Sequence, residues 1–222
     1  MTGEPDHGSP DHVMARAGLV LNLRQHGITD PDLLNAFEAV PHEVFVPEEY
    51  SGYAYREGSL PIACGQSITS PIILAMLIAA LEPKGAGRVL EVGTGSGYTT
   101  ALLAKFARRV FTLDRHGELI RDASARWSAL GLHNIVGLHA DGLSGWPVQA
   151  PFDRILLGGS VEEIPETLVD QLADGGLLVA PVGAADSRQT IVKIERVDDE
   201  FLVSEHGSVR LPQLVASKSR PL

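Results

Sequence analysis

The residues best suited to chemistry lie between Arg88 and Tyr98. A β-rich run, Arg88-Val-Leu-Glu-Val92, leads into Gly93-Thr94-Gly95-Ser96-Gly97 and then into a helical pattern from Tyr98. Glycines in such a turn let the backbone approach a ligand closely, and the start of the following helix presents free N–H groups. The spacing disfavours two nucleotide readings. A dinucleotide fingerprint needs glycine three residues after Gly95, where this chain has Tyr98, and a phosphate loop needs a closing Gly-Lys-Ser/Thr that is missing. A ligand without phosphates that carries an amino-acid end suits three close glycines preceded by the acidic Glu91. Taken alone, the glycines also read as a tight strand-to-helix turn. Two further carboxylates narrow the choice. Asp114 ends the next β-rich run about 20 residues on, where a carboxylate accepts both hydroxyls of a ribose. Asp141-Gly142 follows the third run, placed to meet an adenine amino group. Either aspartate alone reads as a helix cap or a solvated turn, but three acids in register with the glycines are hard to obtain by accident.

Those residues need a sheet whose strands end on one side. From Arg88 to Ala180, β-rich runs alternate with helical patterns, the sign of a parallel sheet covered on both faces. The runs are Arg88–Val92, Val110–Leu113, Ile135–Leu138, Arg154–Leu157 and Leu177–Ala180, with helices expected near Tyr98–Phe106, Glu118–Leu130 and Pro165–Leu172. Thr190–Arg196 and Phe201–Glu205, joined by Val-Asp-Asp-Glu, read as an antiparallel hairpin that makes one edge mixed. Upstream, Val13, Ala17, Val20 and Leu21 fall at helical spacing, and Asp30-Pro31 caps a helix carrying Leu33, Leu34, Phe37 and Val40. Pro41 to Pro71 has no long period and ends in Gly65-Gln66-Ser67-Ile68-Thr69-Ser70-Pro71. An irregular stretch of that length inside a compact domain is more often functional than passive. The fold class expected is α/β, a mostly parallel doubly wound sheet with an antiparallel edge hairpin and N-terminal helices.

Composition bounds the function. The 222 residues, 44% apolar and 21% charged, bury one sizeable core, and a formal charge of -10 disfavours a nonspecific grip on nucleic acid or an anionic membrane. The longest apolar run, Ile72 to Leu81, is about half of the roughly 20 residues a membrane helix needs. Residues 1–12 read as a flexible tail without an apolar signal segment, so a cytoplasmic location is the default. The single cysteine, Cys64, forms no internal disulfide and has no cationic neighbour to activate it, and the eight histidines lack metal-ligand spacing. His42, His133 and His139 read as surface or capping residues, Arg108-Arg109 as a solvated helix end, and Trp127 as packing. Trp146 is balanced between an adenine wall and core.

The set Glu91, Gly93 to Gly97, Asp114 and Asp141 resembles the S-adenosyl-L-methionine pocket of Rossmann-like methyltransferases. A narrower resemblance lies in Val40-Pro-His-Glu-Val-Phe-Val-Pro-Glu-Glu-Tyr50, Ala54-Tyr55, Leu60-Pro-Ile62, Gly65 to Thr69, the Gly-Trp-Pro ending at Pro147, Pro151-Phe-Asp153 and Pro181-Val-Gly183. These are similar to the protein-L-isoaspartate (D-aspartate) O-methyltransferase family over roughly Val13 to Leu211. The resemblance implies one methyltransferase domain over residues 13–222. Within it, residues 13–82 hold N-terminal helices and the active-site loop, 83–185 the cofactor-binding core, and 186–222 the C-terminal hairpin and substrate segment. Gln66, Ser67 and Thr69 then inherit the catalytic positions. Glu91, Gly93, Thr94, Gly95, Ser96, Gly97, Asp114, Asp141 and Gly142 inherit the cofactor site, and Ile68 and Arg210 substrate contacts.

The implied activity is methyl transfer from S-adenosyl-L-methionine to the free carboxylate of L-isoaspartyl residues, with D-aspartyl residues as a further acceptor the family name suggests, in damaged proteins and peptides, starting their repair through a succinimide, by a monomer. A carboxylate with a reference pKa near ~3.9 is already ionised at neutral pH, so no general base is needed, and a closed, water-poor site suffices. This chain departs from the family in three places. It has Ser67-Ile68-Thr69 where Thr-Ile-Ser is usual, and Gly158-Gly159-Ser160 where Thr-Ala-Ala is common, an exchange expected to widen the pocket. The segment around Arg210 is one residue short. A peptide-tailoring aspartate O-methyltransferase with one dedicated partner and a non-catalytic S-adenosylmethionine-binding protein are the alternatives.

Overall fold

The computed structural model describes residues 10–56 and 58–219. The expected tail therefore lies mostly outside the described residues. In chain order the elements begin with α1 (Pro10–Gln25), α2 (Pro31–Ala39) and two 3-10 turns (His42–Phe45, Glu48–Tyr53). A two-stranded ribbon follows, β1 (Leu60–Pro61) and β2 (Ser67–Ile68), then α3 (Pro71–Leu81). The α/β core comprises β3 (Arg88–Val92), α4 (Tyr98–Leu103), β4 (Arg109–Asp114), α5 (Gly117–Ala129), β5 (Ile135–His139), β6 (Phe152–Leu157), α6 (Glu166–Val169) and β7 (Leu172–Val182). The hairpin β8 (Gln189–Val197) and β9 (Glu200–Val209) completes it.

Seven strands form one sheet in the order β5-β4-β3-β6-β7-β8-β9. Neighbours from β5 to β7 are parallel, and β7-β8 and β8-β9 are antiparallel. The chain starts in the middle with β3, winds outward through β4 and β5, and returns to β6 on the other side of β3. The crevice is thereby set beyond the carboxyl ends of β3 and β6, the switch point where ligands bind in open α/β sheets. The central strands are almost wholly buried and rich in Val, Leu and Ile, as two-sided coverage requires. One face packs with α3, α4 and the N-terminal helices around Phe37, Phe45, Leu77 and Tyr98; the other packs Phe111, Phe152, Leu168 and Leu178.

Local rules explain the entry elements. The Asp30 carboxylate accepts the N–H groups of Asp32 and Leu33, and Pro31 occupies the first turn, so α2 begins where the sequence predicts, with Leu33, Leu34 and Phe37 buried. Helix α1 exists, but its buried face differs from the expectation. Leu19 and Leu23 are buried, whereas Val13 is 54% and Leu21 59% exposed. The inward stripe runs through His12, Arg16, Leu19 and Leu23, because the Glu43 carboxylate on the neighbouring turn draws in the two basic residues. The helix expected to reach Leu172 stops at Val169, and Leu172 already belongs to β7. Gln171 causes the early exit: its carbonyl accepts Phe152 N–H, while its side chain bridges Trp146 N–H and the carbonyls of Ser144 and Thr167. Arg109 likewise opens β4 rather than ending a helix, and both Arg108 and Arg109 are exposed.

Candidate active site

A cleft opens over the carboxyl ends of β3, β4 and β6. One wall is the glycine turn Gly93 to Ser96, a second is Gln66 to Thr69, the floor includes Asp114 and Gly142, and the far side is formed by Gly158, Gly159 and Pro212 to Val215. The sheet register carries the glycine-turn wall. Val92 pairs with Leu113 and Leu157, and beyond it the N–H groups of Gly93 and Thr94 are both donated to Leu113 O, at 2.8 and 3.3 Å.

Two of the glycines are required for different reasons. Gly95 has φ +53° and a Cβ there would face open cleft, with only Ile62 Cδ1 as near as 4.0 Å, so its bareness leaves room for a ligand. Gly97 has φ +89°, and a Cβ would come within 2.7 Å of Ala123 Cβ and 2.8 Å of Trp127 Nε1. Trp127 donates its indole N–H to Gly97 O at 2.9 Å, which clamps the turn to α5 from beneath. The packing reading of Trp127 therefore holds.

Asp114 ends β4 inside the cleft. One carboxylate oxygen accepts Gly95 N–H at 2.9 Å and the other accepts His116 N–H at 2.8 Å. Burial raises its pKa, and the two backbone donors pull against that shift. Glu91 corrects an expectation. It is fully buried and lies behind the cleft, because its side chain turns under α4 to meet Thr100 and Thr112 instead of the crevice. One oxygen accepts the hydroxyls of Thr100 and Thr112, and Thr94 is bonded to Thr112 at 2.7 Å; its other oxygen has no protein partner. Burial pushes the Glu91 carboxyl up to about 8. Thr94 thus offers the cleft its backbone while its side chain joins the Glu91 network.

Asp141 is also placed differently. Gly142 and Leu143 line the cleft, but Asp141 caps the turn after β5 through Leu143 N–H at 3.1 Å and accepts Ser217 N–H at 2.7 Å. Trp146 resolves toward core: it packs edge-on against Phe111 with ring centroids 5.6 Å apart and does not line the cleft. Arg210 stands outside it as well. Val209 and Leu211 point inward and are buried, so the residue between them is turned outward, with its guanidinium 3.5 Å from Asp186 O.

On the opposite wall Gln66, Ser67, Ile68 and Thr69 all line the cleft, as the sequence predicts. Ile68 is buried with Val46 and Ala54, so the hydroxyl residues on either side of it face the crevice as a consequence of that anchor. Cys64, three residues before Ser67, sits at φ 59° with its sulfur 3.9 Å from a Glu118 carboxylate oxygen. Burial and the nearby carboxylates raise its pKa, which leaves it a poor nucleophile.

The segment after β9, which the family resemblance implies as a substrate segment, forms a wall of the cleft through Pro212 to Val215 rather than through Arg210. Ser160 N–H is donated to Pro212 O and Leu214 N–H to Ser160 O, both at 2.8 Å, and Ser219 N–H reaches Arg115 O at 2.9 Å. Together with the Ser217–Asp141 bond, these contacts lay residues 212–219 across the carboxyl ends of β6, β4 and β5. The one sequence signal was the apolar pair Leu214-Val215 in a polar context. Gly158 and Gly159 then read oppositely to the expectation of a wider pocket. A Cβ at Gly158 would come within 2.9 Å of Gly93 O, and one at Gly159 within 2.8 Å of Pro212 O and 3.0 Å of Leu214. Bare backbone at Gly158 lets the end of β6 lie against the glycine turn, and at Gly159 it lets the C-terminal segment close in.

A doubly wound sheet with this switch-point cleft, glycine turn and strand-end aspartate defines a Rossmann-like S-adenosylmethionine-dependent methyltransferase. Comparison with known proteins carries this further. The profile of the protein-L-isoaspartate(D-aspartate) O-methyltransferase family matches residues 14–219, and the chain belongs to that family. A protein-L-isoaspartate O-methyltransferase of Maricaulis maris is 44% identical over 213 residues, 96% of this chain and 99% of that one. The Rhodospirillum rubrum protein of the same name is 46% identical over 188 residues, 84% of this chain and 86% of its own. A solved Plasmodium falciparum structure described under the family name, in complex with S-adenosyl-L-homocysteine, is similar at 25% identity and a TM-score of 0.77, covering 92% of this chain and 98% of that one.

Proposed function

We propose that this chain transfers the methyl group of S-adenosylmethionine to the free carboxylate of L-isoaspartyl residues in damaged proteins, the first step of their repair. One observation carries the reading. Within a single cleft, the glycine turn and Asp114 stand on one side and the hydroxyl-bearing Ser67 and Thr69 on the other, in a chain that matches the family along nearly its whole length.

The residues present fit the cofactor: Gly95 leaves open space above the turn, and the Asp114 carboxylate lies in the cleft with acceptor capacity beyond its two backbone bonds. Gly93 to Gly97 would cradle the amino-acid end, Asp114 the ribose, and Gly142 the edge of the adenine. Glu91 and Asp141 support these walls from behind. Bound there, S-adenosylmethionine supplies an electrophilic methyl on a cationic sulfur. Thr69 and Ser67 orient the acceptor carboxylate by hydrogen bonding, Gln66 borders it, and no side chain needs to remove a proton because the acceptor is already ionised. Leu214 and Ile68 exclude water, which favours a reaction whose opposite charges cancel. The ester left on the substrate is more electrophilic than a carboxylate, so the following backbone nitrogen closes on it with loss of methanol, giving a succinimide that hydrolyses partly to a normal linkage.

The reading extends to a cytoplasmic monomer with no nucleic-acid partner, in keeping with the charge of -10 and with the finding that, among the described residues, no helix is long and apolar enough to cross a membrane. The test offers labelled S-adenosylmethionine with peptides that differ only in carrying an isoaspartyl, a D-aspartyl or a normal aspartyl linkage. Label on the isoaspartyl peptide and none on the normal one is expected. Label on the normal peptide points to tailoring of a dedicated partner, and cofactor binding without label on any peptide points to a non-catalytic protein.

A further inference from the structure

The acceptor wall has little backbone structure of its own. β1 and β2 share two register pairs, Leu60 with Ile68 and Pro61 with Ser67. What locates Ile68 is a small apolar cluster of Val46, Ala54 and Ile68, against which Tyr55 and Leu60 pack. The base of that cluster is tethered twice by adjacent residues of the first 3-10 turn.

His42 is buried, against the surface place its type predicts, and its Nδ1 lies 2.6 Å from Ala54 O. A carbonyl only accepts, so Nδ1 carries the proton and the ring is the neutral Nδ1-H tautomer. Burial holds His42 down to about 4, which keeps that state across the physiological range. The ring also packs on Tyr98, a cleft residue, with centroids 4.2 Å apart. Glu43, the next residue, takes hold of Tyr55. Its carboxylate accepts the Tyr55 hydroxyl on one oxygen and Arg16 Nη2, at 2.7 Å, on the other, while Arg16 Nε donates to the Tyr55 oxygen at 3.2 Å. The three groups close a triangle in which every pair is bonded. The phenol is pushed up to about 12 by burial and the neighbouring carboxylate, so it stays a donor.

We propose that Tyr55, fixed by Glu43 and Arg16, is a positioning residue for the methyl acceptor: the triangle sets the floor beneath Ile68 and thereby aims Ser67 and Thr69 across the cleft. The triangle contributes none of the residues that line the cleft. It acts on the reaction only through the loop, and it makes the N-terminal helix part of the acceptor site. The proposal rests on the isoaspartyl methyltransferase reading.

The decisive experiment compares Tyr55→Phe with the unaltered full-length protein, measuring kcat and KM for an isoaspartyl peptide and, separately, the affinity for S-adenosylhomocysteine by calorimetry. Misplacement of a reacting wall predicts a rise in peptide KM of about tenfold with a smaller fall in kcat, while the S-adenosylhomocysteine affinity stays within about twofold. Arg16→Lys keeps a cation beside Glu43 but loses the Nε bond to Tyr55, so it should show the same split in smaller degree, and it decides the matter where Tyr55→Phe fails to fold. Unchanged peptide kinetics overturn the proposal. So does a parallel loss of peptide and S-adenosylhomocysteine affinity, which marks a general structural role. If the unaltered protein methylates no isoaspartyl peptide, the functional reading fails instead.

Discussion

The two walls of the cleft are built by different means. The cofactor wall hangs on β3, β4 and β6, whose register places Val92, Leu113 and Leu157 side by side and delivers the glycine turn and Asp114 to fixed points beyond them. The acceptor wall hangs on two strands of two residues each, and is held by side chains reaching from α1 and a 3-10 turn. A ligand of constant shape suits the first arrangement. A substrate that is a damaged site in many different proteins suits the second, because a wall set by a few side-chain bonds can be tuned without disturbing the sheet.

If that division is real, variants should separate by what they disturb. The largest effect is expected for Asp114→Ala. It removes a charged acceptor that also steadies Gly95, and bonds to charged groups are worth about 1.5–3 kcal/mol each, so affinity for S-adenosylhomocysteine should fall about hundredfold. Peptide KM at saturating cofactor should barely move; a large shift there breaks the comparison. Thr69→Val, nearly isosteric, should do the converse: kcat falls about ten- to hundredfold while S-adenosylhomocysteine affinity stays near that of the unaltered protein. Turnover that survives the change removes Thr69 from its assigned role.

The smallest effect belongs to Glu91→Gln, which sharpens the account of the cofactor wall. The Glu91 carboxyl titrates at about 8 when folded and near its ordinary 4.5 when unfolded, so the folded state holds a proton that the unfolded state releases. The associated stability is complete below the lower value and is lost as pH rises through the upper one. The Gln variant cannot ionise, so between about pH 5 and pH 9 its melting temperature should decline less than that of the unaltered protein. Identical slopes would mean that Glu91 is ionised throughout.

Much of this was legible in the sequence where one residue type meets one local rule. The five runs became β3 to β7, four of them because buried parallel strands leave Val, Leu and Ile stretches and the edge strand β5 by the same residue types at partial burial, and Asp30-Pro31 became a cap because an Asp before a first-turn proline has few other uses. The cleft residues Gln66 to Thr69, Gly93 to Ser96, Asp114 and Gly142 came together as expected. What escaped depends on partners distant in the chain. Nothing near Arg16 marks it as inward-facing, since Glu43 lies 27 residues away and Tyr55 39. Glu91 and Asp141 carry the right chemistry at the right strand ends, but whether such a carboxylate faces the ligand or its own scaffold is settled by Thr100, Thr112 and Ser217, which the motif does not contain. Arg210 missed the cleft because the alternation that buries Val209 and Leu211 turns it out.

Gly159 carries a consequence for descent. Its missing side chain makes room for the backbone of Pro212 and the side chain of Leu214, more than fifty residues later. A lineage cannot exchange one without the other. A chain that acquires alanine at residue 159 has to carry its last segment further from the sheet, and one that keeps the segment close has to keep the glycine. Among related chains, the two stretches should therefore be inherited as a pair, changing together or not at all.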